Sequence, residues 1–150
     1  MKKFHGLNKI NTAIFISGTG SNFKNLLKFS LSKKSPIQIK IVISNNLNAK
    51  GLIFPSKFKI KKKIFKFDNK KKTEIKILSF LKKNNKIFIC LAGFMKILSK
   101  NFIKRFNGKI LNIHPSLLPK YKGLNTHKRV IHNKEKYSGC TVHLVNSFYH

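Results

Sequence analysis

Acidic residues are nearly missing from this chain. There are three, Asp68, Glu74 and Glu135, in 150 residues. So few carboxylates cannot build a cation cage, and no His-Glu-x-x-His segment or paired cysteines stand in for them. His127 and His132 bracket a helical stretch with His143 nearby in sequence, but the ligand set is too sparse, and no metal site is expected. Cysteine is scarce too. Cys90 and Cys140 lie in apolar, strand-like runs and read as buried free thiols; a disulfide framework needs more cysteines in a smaller chain. No apolar run approaches the ~20 residues that span a membrane. After the lysines at the start, only Ala13 to Ile16 is continuously apolar, too short for a signal-peptide core, so a cytoplasmic protein is expected. Arginine is the last shortage: Arg105 and Arg129 alone among 33 basic residues. Surfaces dedicated to nucleic acid favour Arg, whose fork reads phosphates and base edges in pairs.

What is present in excess is lysine, and the net charge is +30. A polyanion-binding surface would produce that. So would codon drift, because the lysines come with many Asn, Ile and Phe, all favoured by AT-rich codons. Drift leaves the scarcity of Glu unexplained. The lysines run from Lys2 to Lys136, densest at 57–72, and this spread favours drift. Loose, salt-sensitive phosphate binding is expected, but no specific nucleic-acid partner. Apolar residues make up 41%, enough for a real core in one domain of this length.

Strand-like apolar runs fall at Thr12–Ser17, Ile37–Ile43, Ile64–Phe67, Ile87–Leu91, Ile110–Ile113 and Thr141–Val145. Helical spacing lies between several of them: Phe23, Leu26 and Leu27, then Ile75, Leu78 and Leu81. Alternating strands and helices predict an α/β fold, a mostly parallel sheet covered on both faces. Ligands of such sheets bind at the carboxyl ends of strands, where chemistry is to be sought.

The first strand end reads "ISGTGSNFKNLL". Gly18-Thr19-Gly20 makes a tight loop, Ser21 and Asn22 are good helix caps, and Phe23 starts an amphipathic helix. A glycine loop entering a helix suits a phosphate, through free N–H groups and the dipole. No Lys-Ser/Thr follows the glycines, and Phe23 stands where a dinucleotide fingerprint has its third glycine. A ligand-free turn reads equally well. The central end, "IFICLAGFMKILS", turns at Ala92-Gly93 and continues with Phe94, Met95, Lys96, Ile97 and Leu98. That run could wrap a flat, apolar, anionic ligand; taken alone it reads as core with one snorkelling Lys.

A third end, "GKILNIHPSLLPKYKGLNTH", places Asn112 and His114 two apart, on one face of a strand. His can carry a proton near neutral pH, and Asn can donate to an oxygen gaining charge. No Ser or Cys nucleophile is evident beside them. The pair fits acyl-type transfer with a substrate amine or water attacking, although a capped strand end with a surface His has the same pattern.

In order and spacing, "ISGTGSN", "VISN" at 42–45, "LAGFMKILS" and "NIHPSLLPKYKGLNTH" resemble the phosphoribosylglycinamide formyltransferase family, from about Thr12 to Val145. That resemblance implies a single Rossmann-like α/β domain over 1–150. It also implies formyl transfer from 10-formyltetrahydrofolate, a co-substrate, to the amine of glycinamide ribonucleotide in purine synthesis. By the same resemblance Gly20, Ser21 and Asn22 would hold the ribonucleotide phosphate. Lys70, Met95, Lys96, Ile97, Leu98 and Asn112 would line the folate pocket, with Lys70 and Lys96 where the family carries Arg. Asn112 would orient the formyl group and His114 would transfer the proton. After "VHLV" the family continues to an Asp beside the catalytic His; by spacing His150 stands there, and a cation cannot do that carboxylate's work. The family's C-terminal strand and helix are expected to be missing. The alternative expectation is a shortened, inactive relative, binding polyanions or the ribonucleotide alone.

Overall fold

The structure is a computed structural model that describes residues 9–83, 88–123 and 125–146. Its six-stranded sheet has the order β3-β2-β1-β4-β5-β6. The strands are β1 (Ile10–Ile16), β2 (Ile37–Ser44), β3 (Lys61–Ile64), β4 (Phe88–Leu91), β5 (Ile110–His114) and β6 (Thr141–Leu144). β1 to β5 run parallel, and β6 returns antiparallel to β5. The expected α/β architecture is therefore the observed one.

The apolar runs of β1 and β2 are continuous because both faces of these strands are covered. Ile14, Ile16, Val42 and Cys90 pack on one face with Phe23 and Leu27 of α1 (Ser21–Leu31). Ala13, Phe15, Ile41, Ile43, Ile89 and Leu91 pack on the other. There they meet Ile77 and Leu81 of α2 (Lys70–Lys82) and Phe102 of α3 (Lys100–Arg105). Each fully buried Ile or Phe contributes roughly 1.5–3 kcal/mol of apolar transfer. A 3-10 turn, Lys50–Leu52, leads into a single helical turn, Ile53–Lys57, on the α1 side. Helix α4 spans Thr126–His132 between β5 and β6.

Three local expectations need correction. The third strand is Lys61–Ile64, not Ile64–Phe67. It is an edge strand, and its lysines keep that edge soluble; just past its end Phe65 N–H still donates to Ser44 O of β2 at 2.9 Å, while the Phe65 and Phe67 side chains drop into the core beside Phe80 and Phe94. In α2 the buried residues are Thr73, Glu74, Ile77 and Leu81, while Ile75 is 42% exposed. The apolar count over-weighted Ile75 and could not foresee a buried Glu. Finally, Cys90 is buried as expected but Cys140 is exposed, because it precedes β6 rather than lying in it. Ile87 lies outside the described residues.

Candidate active site

Three parallel strand ends converge where the sheet opens. β1 ends at Ile16, and Ser17 ties the next turn to its neighbours through four hydrogen bonds. Ser17 N–H donates to Gly93 O at 3.2 Å, Met95 N–H donates to Ser17 Oγ at 2.7 Å, and Asn46 Nδ2 donates to Ser17 O at 3.2 Å. Ser17 Oγ in turn donates to Asn45 Oδ1. This explains the "VISN" segment: its Asn45 and the following Asn46 lock the β2 end to the β1 end.

Gly20 is the N-cap of α1, with φ +75° and no side-chain cap. The expected capping by Ser21 and Asn22 is not what the structure shows. Ser21 opens the helix and Asn22 follows within the first turn, which leaves their side chains available for other work. A Cβ on Gly20 would come within 2.7 Å of Gly51 Cα, so close backbone approach and the left-handed φ both require glycine here. Gly51 N–H donates to Gly18 O at 3.0 Å and holds the loop.

The β4 end turns at Gly93, φ +78°, and delivers residues 94–98 to a cleft of about 600 Å³. Leu98 is 2% exposed and Phe94 is half-buried against Phe15 and Phe67, so both behave as core. Met95 and Ile97 do not: they are 64% and 53% exposed and line the cleft with Lys96. Reading the whole run as core with one snorkelling Lys is therefore wrong at these two positions. Gly93 and the Ser17 anchor turn them outward. Covering the exposed part of either would contribute about 1–2 kcal/mol, which favours an apolar occupant.

Asn112 and His114, at the end of β5, line the same cleft together with Leu118, Pro119, Thr141 and His143. Asn112 faces His143 across the β5–β6 ladder, and its Nδ2 lies 3.3 Å from His143 Nε2. His143 Nδ1 lies 3.2 Å from Leu144 O. A carbonyl can only accept, so His143 carries its proton on Nδ1 and its Nε2 accepts from Asn112. One amide hydrogen and the Asn112 oxygen remain for a ligand. His114 Nε2 is 2.9 Å from Tyr121 O, which places its proton on Nε2 and makes Nδ1 the basic atom. The Tyr121 loop is held in turn. Ser116 Oγ donates to Lys120 O at 2.7 Å, and Thr141 Oγ1 donates to Ser116 O at 2.7 Å. The Tyr121 hydroxyl donates to Glu135 Oε1 at 2.8 Å. That hydroxyl, then the Lys120 ammonium, hold Glu135's carboxyl below the usual range; as pH falls through that lowered value, the charged partner is lost.

The structure thus gathers Asn112, His114, Met95, Lys96, Ile97 and Leu98 around one cleft. Gly20, Ser21 and Asn22 stand at a nearby strand end, outside its lining. Lys70 begins α2, is exposed, and does not line the cleft. His150 lies outside the described residues. His143 and Tyr121 were missed as site residues. His143 alternates with Val142 and Leu144 on β6, and only the β5–β6 register puts it beside Asn112. Among the described residues no three His, Cys, Asp or Glu gather as metal ligands, and no helix is long and apolar enough to cross a membrane.

A parallel sheet whose strand-end cleft carries an Asn-x-His pair defines a class. The formyl transferase family profile matches residues 10–149, and the chain belongs to that family. Within it the chain groups with the phosphoribosylglycinamide formyltransferases. It is 41% identical to the enzyme of Brucella melitensis, whose solved structure superposes at a TM-score of 0.87 over 94% of this chain and 75% of that one. It is 43% identical to the phosphoribosylglycinamide formyltransferase of Haemophilus influenzae, covering 89% of this chain and 65% of the relative. It is 40% identical to the human trifunctional purine biosynthetic protein adenosine-3, covering 91% of this chain and 14% of the relative. The chain thus spans about two thirds, or much less, of these two relatives.

Proposed function

We propose that the chain transfers a formyl group from 10-formyltetrahydrofolate to the primary amine of glycinamide ribonucleotide, in purine synthesis, as a single cytoplasmic domain over 1–150. The observation that carries this reading is the placement of Asn112 and His114 side by side on a cleft walled by exposed Met95 and Ile97. The apolar wall would take the flat folate ring, with Lys96 near its anionic groups. Asn112 Nδ2 would donate to the formyl oxygen as it gains charge. The substrate amine attacks the formyl carbon, and the bond from that carbon to the folate nitrogen breaks. His114 Nδ1 would accept the proton that the amine loses, and the leaving nitrogen takes one up. Gly20, Ser21 and Asn22 would hold the ribonucleotide phosphate, where the helix N-terminus meets the exposed Ser21 and the half-buried Asn22. Lys70 stands away from the cleft lining, so a folate contact from it would need the ligand to extend past the pocket. Neither a metal nor a nucleic-acid partner enters this reading.

The test is formyl transfer by the purified chain with both substrates. His114→Ala should lower the rate ~10²–10⁴-fold and Asn112→Ala ~10²–10³-fold. Transfer by His114→Ala at the parent rate would sink the assignment. No transfer by the parent chain would favour the alternative, an inactive relative.

A further inference from the structure

We infer that Glu135 is a positioning residue for His114, acting through Tyr121. The starting point is Tyr121 itself. Its φ is +54°, a left-handed backbone that a bulky residue adopts only when its surroundings impose it. In that conformation its carbonyl accepts from His114 Nε2 at 2.9 Å. Thr126 Oγ1 and Ser116 Oγ approach the same oxygen, each at 3.5 Å, too far to fix it alone.

What imposes the conformation is the side chain. The Tyr121 hydroxyl donates to Glu135 Oε1 at 2.8 Å and accepts from Asn133 Nδ2 at 2.9 Å. Arg129 lies over the ring, 5.4 Å from its centre, while its Nη1 donates to Lys122 O at 2.6 Å. Lys120, next in the chain, reaches the same carboxylate at 3.1 Å. Glu135 therefore clamps two successive residues of the loop, and it is one of three acids in a chain with 33 bases. Because a charge-assisted bond is about twice as strong as a neutral one, the carboxylate is the strongest single hold on the tyrosine. The clamp ends at the ring nitrogen of His114, where it sets the tautomer and aims Nδ1.

This rests on the reading of His114 as the proton carrier, but its test does not need turnover. The tautomer of His114 is read by ¹H–¹⁵N long-range NMR of the full, ¹⁵N-histidine-labelled chain, at mildly alkaline pH where imidazole is neutral. The parent chain should show the Nε2–H form. Glu135→Gln, which still accepts from the tyrosine hydroxyl, should keep most of that preference. Glu135→Ala and Tyr121→Phe should both lose it and show a mixture of tautomers. Tyr121→Phe removes one oxygen from a half-buried ring, so it remains decisive even if Glu135→Ala folds poorly. An unchanged tautomer in Tyr121→Phe overturns the inference. So does a preference kept at the parent level in a folded Glu135→Ala, because Tyr121 would then be held without the carboxylate. A lost tautomer preference together with no formyl transfer by the parent would leave the clamp standing and remove the catalytic reading.

Discussion

A side chain's chemistry is decided by its neighbours as much as by its type, and the two cysteines make the contrast measurable. Cys90 sits in β4 at 8% exposure, and burial pushes its thiol up to about 11. Its reactive thiolate is thus suppressed at neutral and mildly alkaline pH, and the surrounding core blocks reagent as well. Cys140 is exposed before β6. One thiol per native chain should therefore react with a maleimide or disulfide reagent within minutes, and mass mapping should place it at Cys140. Denaturant should release the second. Comparable native labelling of Cys90 would mean that the β1–β4 core opens readily. At this scale the sequence was informative about Asn112 and His114, because a period of two is a local rule. It could not reveal their partners. His143 arrives through strand register and Tyr121 through a loop with a positive φ, and neither leaves a local pattern.

Elements are joined here by a buried carboxylate. Glu74 of α2 is 4% exposed and accepts from the Ser99 N–H at 2.7 Å and from the Ser99 hydroxyl. Ser99 in turn caps α3, accepting from the Phe102 N–H at 3.0 Å. This chain of bonds fixes the start of α3 to α2 and, with it, the segment Met95–Leu98 that lines the cleft. Ser99→Ala should lose a cap, about 1 kcal/mol. Glu74→Leu should cost about 1–3 kcal/mol, because it strands the Ser99 donors in a partly buried place. The two should be clearly non-additive in urea unfolding, since both break one network. Additive losses would mean that the carboxylate and the cap act independently. The same element explains why helix phase was misread from sequence: an Ile three residues from a Leu looks like a core stripe, and a Glu does not. The parallel sheet and α1 were legible because their apolar runs are long. The edge strand was not, because Lys61–Lys63 carry no apolar signal and the apolar Phe65 and Phe67 lie past its end.

On the scale of the molecule, the question is what a charge of +30 does to the fold. Lysines occupy both sides of the sheet, with Lys24 and Lys28 on α1 and Lys76 and Lys82 on α2, as well as the β3 edge. A dedicated polyanion surface would gather them on one face; this distribution fits composition better than a partner. Its consequence is self-repulsion across the whole surface, opposed by very few acids. The Debye length falls from ~10 Å at 0.1 M salt to ~3 Å at 1 M, so added salt screens repulsion between neighbouring lysines. Stability should rise with NaCl from low to high ionic strength by about 1–2 kcal/mol, which for a chain of this size is a Tm increase of roughly 2–8 °C. Surface ion pairs would push the other way, but the one found among the described residues, Lys120–Glu135, is solvent-accessible and worth little. The measurement is a thermal melt across a salt series, with sucrose as a control for general exclusion effects. A flat or falling Tm would mean that repulsion among the lysines costs the folded state no more than the unfolded one, since three acids cannot compensate 33 bases locally.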